Sequence, residues 1–417
     1  MQLGSTFTRR PLRVYQGSAI AFAITVLLPM PLLADDSIRA GVTYFGEGSA
    51  KDAPVHVIHP QVRYSQDLGP RLGLDLGYDA DIVSGATPQV FGSDVITGAT
   101  EFKDTRHNGA GTLRFMSDFS TLSVGGGYAG ENDYRSATLT VAASTELFER
   151  NTRFDLSYTH NFDKICDAAN SQNQELIERN ALSSSDNCFE TSSVVTERDL
   201  AIDTIQATWT QVLNPWTLIQ VGVTSQLLHG FQSNPYRQVQ LGPQAVQEHV
   251  PDIRNRFAYF ARGKFAIKPV RGAFELRARG YADSWAIESL TGEAAWDQYI
   301  TRTLSFRIRG RYYLQDSALF YRDGNLYRQS GATGAYWTGD RELSALQNVT
   351  AGGKLTWRWR ARDRSFLRIV DEITLSAKAD LYFYTSRTET PSESPNFART
   401  EDIIDALVVS ANLGLAF

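Results

Sequence analysis

The chain has 417 residues, 41 basic and 46 acidic side chains, a formal net charge of −5 and two cysteines. A slightly acidic chain without a basic excess disfavours a nucleic-acid role. Two cysteines supply no zinc-like set, and no Cys-x-x-Cys-His run offers covalent haem attachment.

Residues 1–34 read as a secretory signal rather than as fold. Arg9, Arg10 and Arg13 make a basic start, Ala19 to Leu28 is an apolar core, and Pro29 and Pro31 break it. Cleavage is expected after Ala34, ahead of Asp35-Asp36. It would remove three arginines and no acid, taking the net charge to −8. The apolar core is too short to span a bilayer, and no later stretch approaches eighteen uninterrupted apolar residues.

From residue 35 to 417 a single domain is expected. It consists of alternating segments of about ten residues, the period of a transmembrane antiparallel β-barrel, in which only one face of each strand meets lipid. A soluble β-sandwich is the alternative. The first half offers strands near 38–45, 55–66, 71–82, 107–118, 120–131, 134–146, 152–162 and 198–212. The second half offers 217–229, 254–267, 272–286, 290–300, 304–315, 347–360, 369–384 and 406–417. That is about sixteen strands, an even number as in single-chain bacterial barrels.

Connection length alternates as well. Asp67-Leu-Gly-Pro70, Leu213-Asn-Pro-Trp216 and Lys268-Pro-Val-Arg271 are short links punctuated by Pro and Gly. Long polar stretches near 83–106, 163–197, 230–253, 316–346 and 385–405 fill the other junctions. Short periplasmic turns and long outer loops are the bacterial arrangement. Trp216, Trp357 and Trp359 lie near the short turns and suit an interfacial aromatic girdle.

Strand period two assigns the faces. In 304–315, Leu304, Phe306, Ile308, Gly310, Tyr312 and Leu314 face lipid, and Arg307, Arg309 and Arg311 face the lumen. In 272–286, Glu275, Arg277, Arg279, Tyr281 and Asp283 face in; Glu293 and Asp297 join them from the next strand. Lys354, Arg358 and Arg360 face in from 347–360. The basic set is Arg277, Arg279, Arg307, Arg309, Arg311, Lys354, Arg358 and Arg360. It fits either an anion-attracting lumen or an internal ion-pair network with Glu275, Asp283, Glu293 and Asp297. His56 and His59, three apart on a strand, fall on opposite faces and are not expected to ligate one metal. No nucleophile elbow, P-loop or triad spacing supports a hydrolase. Cys166 and Cys188 share one predicted outer loop of an exported chain, which favours a disulfide between them.

One loop carries the same seven-residue pattern twice: Asp81-Ile-Val-Ser-Gly-Ala-Thr87 and Asp94-Val-Ile-Thr-Gly-Ala-Thr100. The pattern resembles the covalent flavin acceptor site of flavin-carrying subunits in sodium-pumping NADH:quinone oxidoreductase and related complexes. That resemblance implies a flavin transferase that joins FMN through its phosphate to Thr87 and Thr100. Asp81 and Asp94 would serve recognition or turn geometry, Ser84 and Thr97 would complete the pattern, and Gly85-Ala86 and Gly98-Ala99 would form compact turns that admit the transferase. The alternative is a pair of loop turns capped by Asp and Ser/Thr.

The final segment is the cleanest strand. Leu407, Val409, Ala411, Leu413, Leu415 and Phe417 share one face, and the terminal Phe resembles the assembly signal of bacterial outer-membrane barrels. That signal, the early D-x-V-S-G-A-T-P stretch and Gly230-Phe-Gln-Ser-Asn-Pro-Tyr-Arg237 together resemble a bacterial family of exported proteins with a domain of unknown function. The resemblance implies outer-membrane lipid, barrel-assembly machinery and flavin-transfer machinery as partners. The expected function is an outer-membrane redox carrier with covalent FMN, serving unidentified electron-transfer partners. A passive or gated pore for small solutes, anionic ones among them, and a structural docking barrel are the alternatives.

Overall fold

The alternation closes on itself. In a computed structural model, residues 36–47, 56–86, 101–167, 196–235, 237–241, 244–322, 335–360, 370–386 and 406–417 are described. The first eight barrel strands are β1 (Ser37–Glu47), β2 (His56–Gly69), β3 (Leu72–Ala86), β4 (Glu101–Met116), β5 (Ser120–Gly130), β6 (Tyr134–Leu147), β7 (Thr152–Asp167) and β8 (Thr196–Asn214). β9 (Thr217–Gly230) follows, and then a separate hairpin of β10 (Gln238–Leu241) and β11 (Gln244–Gln247). The barrel resumes with β12 (Ile253–Ile267), β13 (Gly272–Asp283), β14 (Glu288–Tyr299), β15 (Leu304–Gln315), β16 (Leu346–Arg360), β17 (Glu372–Ser386) and β18 (Ala406–Ala416). Sixteen strands pair antiparallel with their chain neighbours, β9 with β12 across the hairpin, and β1 pairs with β18 to shut the ring. Each expected strand corresponds to one of these. The main differences are length: β3 runs to Ala86, and β8 spans nineteen residues.

The outward face is apolar around the ring. Val62, Leu76, Leu113, Leu139, Leu156, Ile205, Val223, Leu276, Ile308, Leu355 and Leu413 all stand exposed, Ile308 by 55% and Leu156 by 56%. A soluble sandwich would bury these side chains between sheets. Here the lumen takes the polar partners, so the apolar band is a lipid-facing surface.

Turn geometry follows the expected punctuation. At one rim β2 and β3 are joined through Pro70 and Arg71, β8 and β9 through Pro215 and Trp216. A one-turn 3-10 segment, Lys268–Val270, joins β12 to β13, with Arg271 left-handed at φ 53°. Trp216 and Trp357 are exposed at this rim, as a girdle requires, and the Lys268 ammonium lies 4.3 Å from the Trp216 ring centroid. Towards the other rim, outward-facing Tyr44 pairs with His56 and Tyr78 with His107, each through the tyrosine hydroxyl and Nδ1, at 2.6 and 2.8 Å. His56 and His59 do lie on opposite faces, since His59 points inward to Asp81.

Candidate functional site

The lumen of β12–β17 is a wall of charge. Strand alternation sends every second side chain inward, so Arg307, Arg309 and Arg311 form a ladder on β15. Glu275 of β13, 2% exposed, receives Arg262 at 2.9 Å, Arg307 at 3.0 Å and Arg277 at 3.7 Å. Arg307 reaches Glu275 diagonally across β14, where Ala295 is paired with Glu275 and leaves room. Asp297 holds Arg307 at 3.0 Å and Lys264 at 2.8 Å. Glu293 pairs with Arg309 at 3.1 Å and more loosely with Arg307 at 3.8 Å.

The network continues past β16 because Gly352 has no side chain. Gly352 is in register with Arg309 on one side and Asp380 on the other. Arg309 therefore reaches over it to Asp380 at 2.8 Å, and Lys378 completes the group at 2.6 Å. A Cβ at Gly352 would stand 1.9 Å from Asp380 Oδ1.

The expected basic set divides three ways. Arg277, Arg307 and Arg309 belong to this network. Arg358 and Arg360 both pair with Glu372 at the short-turn rim, at 3.1 and 2.6 Å. Arg279, Arg311 and Lys354 have no carboxylate partner among the described residues, and the buried Arg311 Nε has no hydrogen-bond acceptor. Of the expected acids, Glu275, Glu293 and Asp297 join the network. Asp283 does not: it is held by Arg254 at 2.8 Å and by the Tyr281 hydroxyl at 2.7 Å. Sequence reading did not single out Arg262, Lys264, Glu372, Lys378 or Asp380. Strand parity was the signal that could have found them.

Charge is distributed unevenly around the lumen. Beyond the acids just named, β12–β17 carry inward Arg254, Arg256, Arg262, Lys264 and Lys378 besides the expected basic set. Basic groups outnumber acids on this wall by about two to one. Opposite it, carboxylates prevail: Asp75 and Asp67 share Arg114 at 2.7 and 3.1 Å, Asp79 accepts from Asn108 at 3.2 Å, and Asp81 meets His59 at 2.7 Å. The lumen is thus bounded by a basic face and a more acidic one.

The long-loop mouth carries a cap made of two loops far apart in sequence. Val239, Leu241 and Val246 of the β10–β11 hairpin bury Trp337, whose indole N–H donates to the Gln247 carbonyl at 2.8 Å. His249 and Trp337 exchange backbone hydrogen bonds at 3.0 and 2.8 Å. Glu248, 4% exposed, accepts from the Asn234 N–H at 2.8 Å, from Arg237 at 3.0 Å and from the Thr338 hydroxyl; Arg237 also holds Asp340 at 3.0 Å. A second apolar cluster of Val250, Trp285, Ile287, Ala318, Phe320, Tyr321 and Leu343 packs on inward-facing Tyr281. Gln315, inward at the top of β15, donates to the carbonyls of Glu342 and Ser344 at 2.6 and 2.7 Å. Ser233, Asn234 and Arg237 thus buttress this cap, Ser233 accepting from the Val250 N–H at 3.0 Å. The segment leaves β9 at Gly230 with φ +124°, where a Cβ would meet the Asp199 carbonyl oxygen at 2.1 Å.

The doubled motif is placed only in part. Asp81–Ala86 continue β3, with Ser84, Gly85 and Ala86 paired to Lys103, Phe102 and Glu101. The first Gly-Ala pair is therefore extended ladder rather than the expected compact turn, because β4 begins early enough to pair with it. Asp81 is engaged with His59. Thr87, Asp94, Thr97, Gly98, Ala99 and Thr100 lie outside the described residues. So does Cys188; Cys166 is fully buried near the end of β7, and no described cysteine is free.

Residues 92–386 match the family described as "Protein of unknown function (DUF3570)". No curated protein matches the chain. Among solved structures, a bacterial polysaccharide outer membrane secretin is similar at a TM-score of 0.46 and 8% identity, over 92% of this chain and 99% of that one. A loop-deletion mutant of OmpT, an outer membrane protein of Vibrio cholerae, is similar at 0.40 and 7% identity, over 92% and 97%. OccD3 (OpdP) of Pseudomonas aeruginosa is similar at 0.42 and 8% identity, over 92% and 91%. These are likenesses of barrel shape alone.

Proposed function

The chain belongs to the DUF3570 family, and from that premise we propose that it is a capped, anion-preferring pore of the bacterial outer membrane. The observation that carries this reading is the excess of cations on one lumenal wall, where Arg279, Arg311 and Lys354 have no carboxylate partner among the described residues. A network that served only to hold the wall together would match its cations to carboxylates, since like charges on neighbouring strands repel. The short-turn rim faces the periplasm and the cap faces outward.

The network narrows the lumen and the cap covers its mouth, so conductance is small for a barrel of this size. The test is single-channel recording in planar bilayers across a potassium chloride gradient. Wild type should give small currents with a reversal potential on the anion side. Trp337→Ala removes the indole that joins the two cap loops and should raise the conductance while the barrel stays intact. A cation-selective reversal potential, or silence in both proteins, would sink the pore.

The doubled motif supports a second reading, in which FMN is tethered to Thr87 or Thr100 at the outer rim. Asp81 and Ser84 would then present the first acceptor from a strand end. Intact-mass measurement of protein made alongside an active flavin transferase tests it. Thr87→Ala and Thr100→Ala should each remove one flavin increment, and no increment in wild type ends that reading.

A further inference from the structure

The surplus cations are not spread evenly along the passage. Arg279 of β13 and Arg311 of β15 flank β14 in its upper half, where Arg279 is in register with Thr291 and Arg311 with Glu293. Glu293 is already engaged by Arg309 and Arg307, and Glu275 by its own three arginines. The carboxylates beside these two guanidiniums are therefore taken. Arg279 is exposed to the lumen, while the Arg311 Nε is buried without an acceptor. The Arg311 guanidinium lies 5.8 Å from the Tyr313 ring centroid, and Tyr313 is level with Arg279 across Thr291. The Tyr313 hydroxyl bonds Gln315, and Gln315 holds the cap through the Glu342 and Ser344 carbonyls.

Resting on the reading of the lumen as an anion-preferring passage, we infer that Arg279 and Arg311 form an oxyanion-binding subsite directly beneath the cap. Its ligand is a small solute bearing a carboxylate or a phosphate. Two guanidiniums offer the planar donor forks that such oxygens accept. The orphaned Arg311 Nε gains in the complex the acceptor it lacks in the free protein. Lys354, lower on β16 in register with Arg307, is the next cation of this wall without a carboxylate partner among the described residues. Occupancy is coupled to the cap, because ligand oxygens compete for the Tyr313 hydroxyl that Gln315 now shares. A solute would thus meet its tightest site at the point where the cap is anchored.

Calorimetric titration of the detergent-purified, full-length protein with inorganic phosphate, and separately with citrate, tests this. Saturable binding of one probe or both is expected, and the stronger one identifies the source chemistry. Arg279→Gln with Arg311→Gln should weaken binding by at least about tenfold, the factor for losing about 1.4 kcal/mol. Arg302→Gln removes one arginine charge from an exposed turn and should leave binding unchanged. An unheated gel confirms that each variant is assembled. Equal weakening by Arg302→Gln, unchanged binding in the assembled double variant, or no binding of either probe to wild type overturns the subsite. Unchanged binding in the double variant together with an anion-selective current refutes the subsite while leaving the pore standing. Saturable binding lost in the double variant, with no current from any protein, supports the subsite and refutes the pore.

Discussion

Gly352→Ala offers a test in which the sign of the effect decides. In an ordinary strand position, alanine in place of glycine stabilises by roughly 0.5–1 kcal/mol, because glycine loses more chain entropy on folding. Here the new Cβ would stand 1.9 Å from Asp380 Oδ1 and 3.2 Å from the Ala379 carbonyl oxygen. The carboxylate must swing away, which breaks its contacts with Arg309 at 2.8 and 2.9 Å. Losing one side of a buried pair costs about 3–5 kcal/mol. Arg309 keeps Glu293 at 3.1 Å, and Lys378 remains within reach of Asp380. Those residual partners bring the loss to about 2 kcal/mol, and the alanine gain leaves a net destabilisation of about 1–1.5 kcal/mol. Urea titration of the barrel in lipid vesicles, followed by heat-dependent gel mobility, measures it. Asp380→Ser removes the atom in conflict, so adding Gly352→Ala to it should cost nothing further. A Gly352→Ala protein as stable as wild type, or full additivity with Asp380→Ser, would refute the bridging role of Gly352.

Other outcomes follow from the same wall and ring. Glu275→Gln removes the charge on which Arg262 and Arg307 converge and should destabilise by about 2–3 kcal/mol; combined with Arg307→Gln it should cost less than the sum, and strict additivity in a double-mutant cycle would contradict the pairing. Ile308→Arg puts a cation on the lipid face near mid-height and should cost about 2–4 kcal/mol in vesicle refolding, whereas Lys354→Gln, on the lumenal face, should cost less than about 0.5 kcal/mol. Thiol labelling of the assembled protein without reductant should find neither Cys166 nor Cys188 free; a bridge between them would stabilise the loop after β7 by roughly 3 kcal/mol.

The barrel was legible because lipid imposes a strict code. Each strand must send apolar groups one way and polar groups the other, so Ile308, Gly310 and Tyr312 against Arg307, Arg309 and Arg311 could be sorted without coordinates. The cap was not legible. Its partners, Val239 and Trp337, come from loops separated by four barrel strands, and neither loop has a sequence period. Asp380 escaped notice for a related reason: its partner Arg309 is two strands away, and only the vacancy at Gly352 lets them meet. The first Gly-Ala pair misled in the opposite direction. Gly85 and Ala86 read as a turn by local preference, yet pairing with Phe102 and Glu101 draws them into the ladder.

The seam between β1 and β18 has a kinetic consequence. Every other junction in the ring joins segments that are near in the chain, but at the seam Thr43 and Ser410 touch at 3.0 Å although their numbers differ by 367. On flexible-chain scaling, bringing such distant segments together costs roughly 5 kcal/mol in loop entropy. Hairpins can form one after another as an open, curling sheet, which still has two raw edges ready to pair with a neighbouring molecule. Only the last join removes both edges at once. The seam is therefore where a helper that holds one edge and delivers the other has most to contribute, and where an impatient chain is most exposed to pairing with the wrong partner.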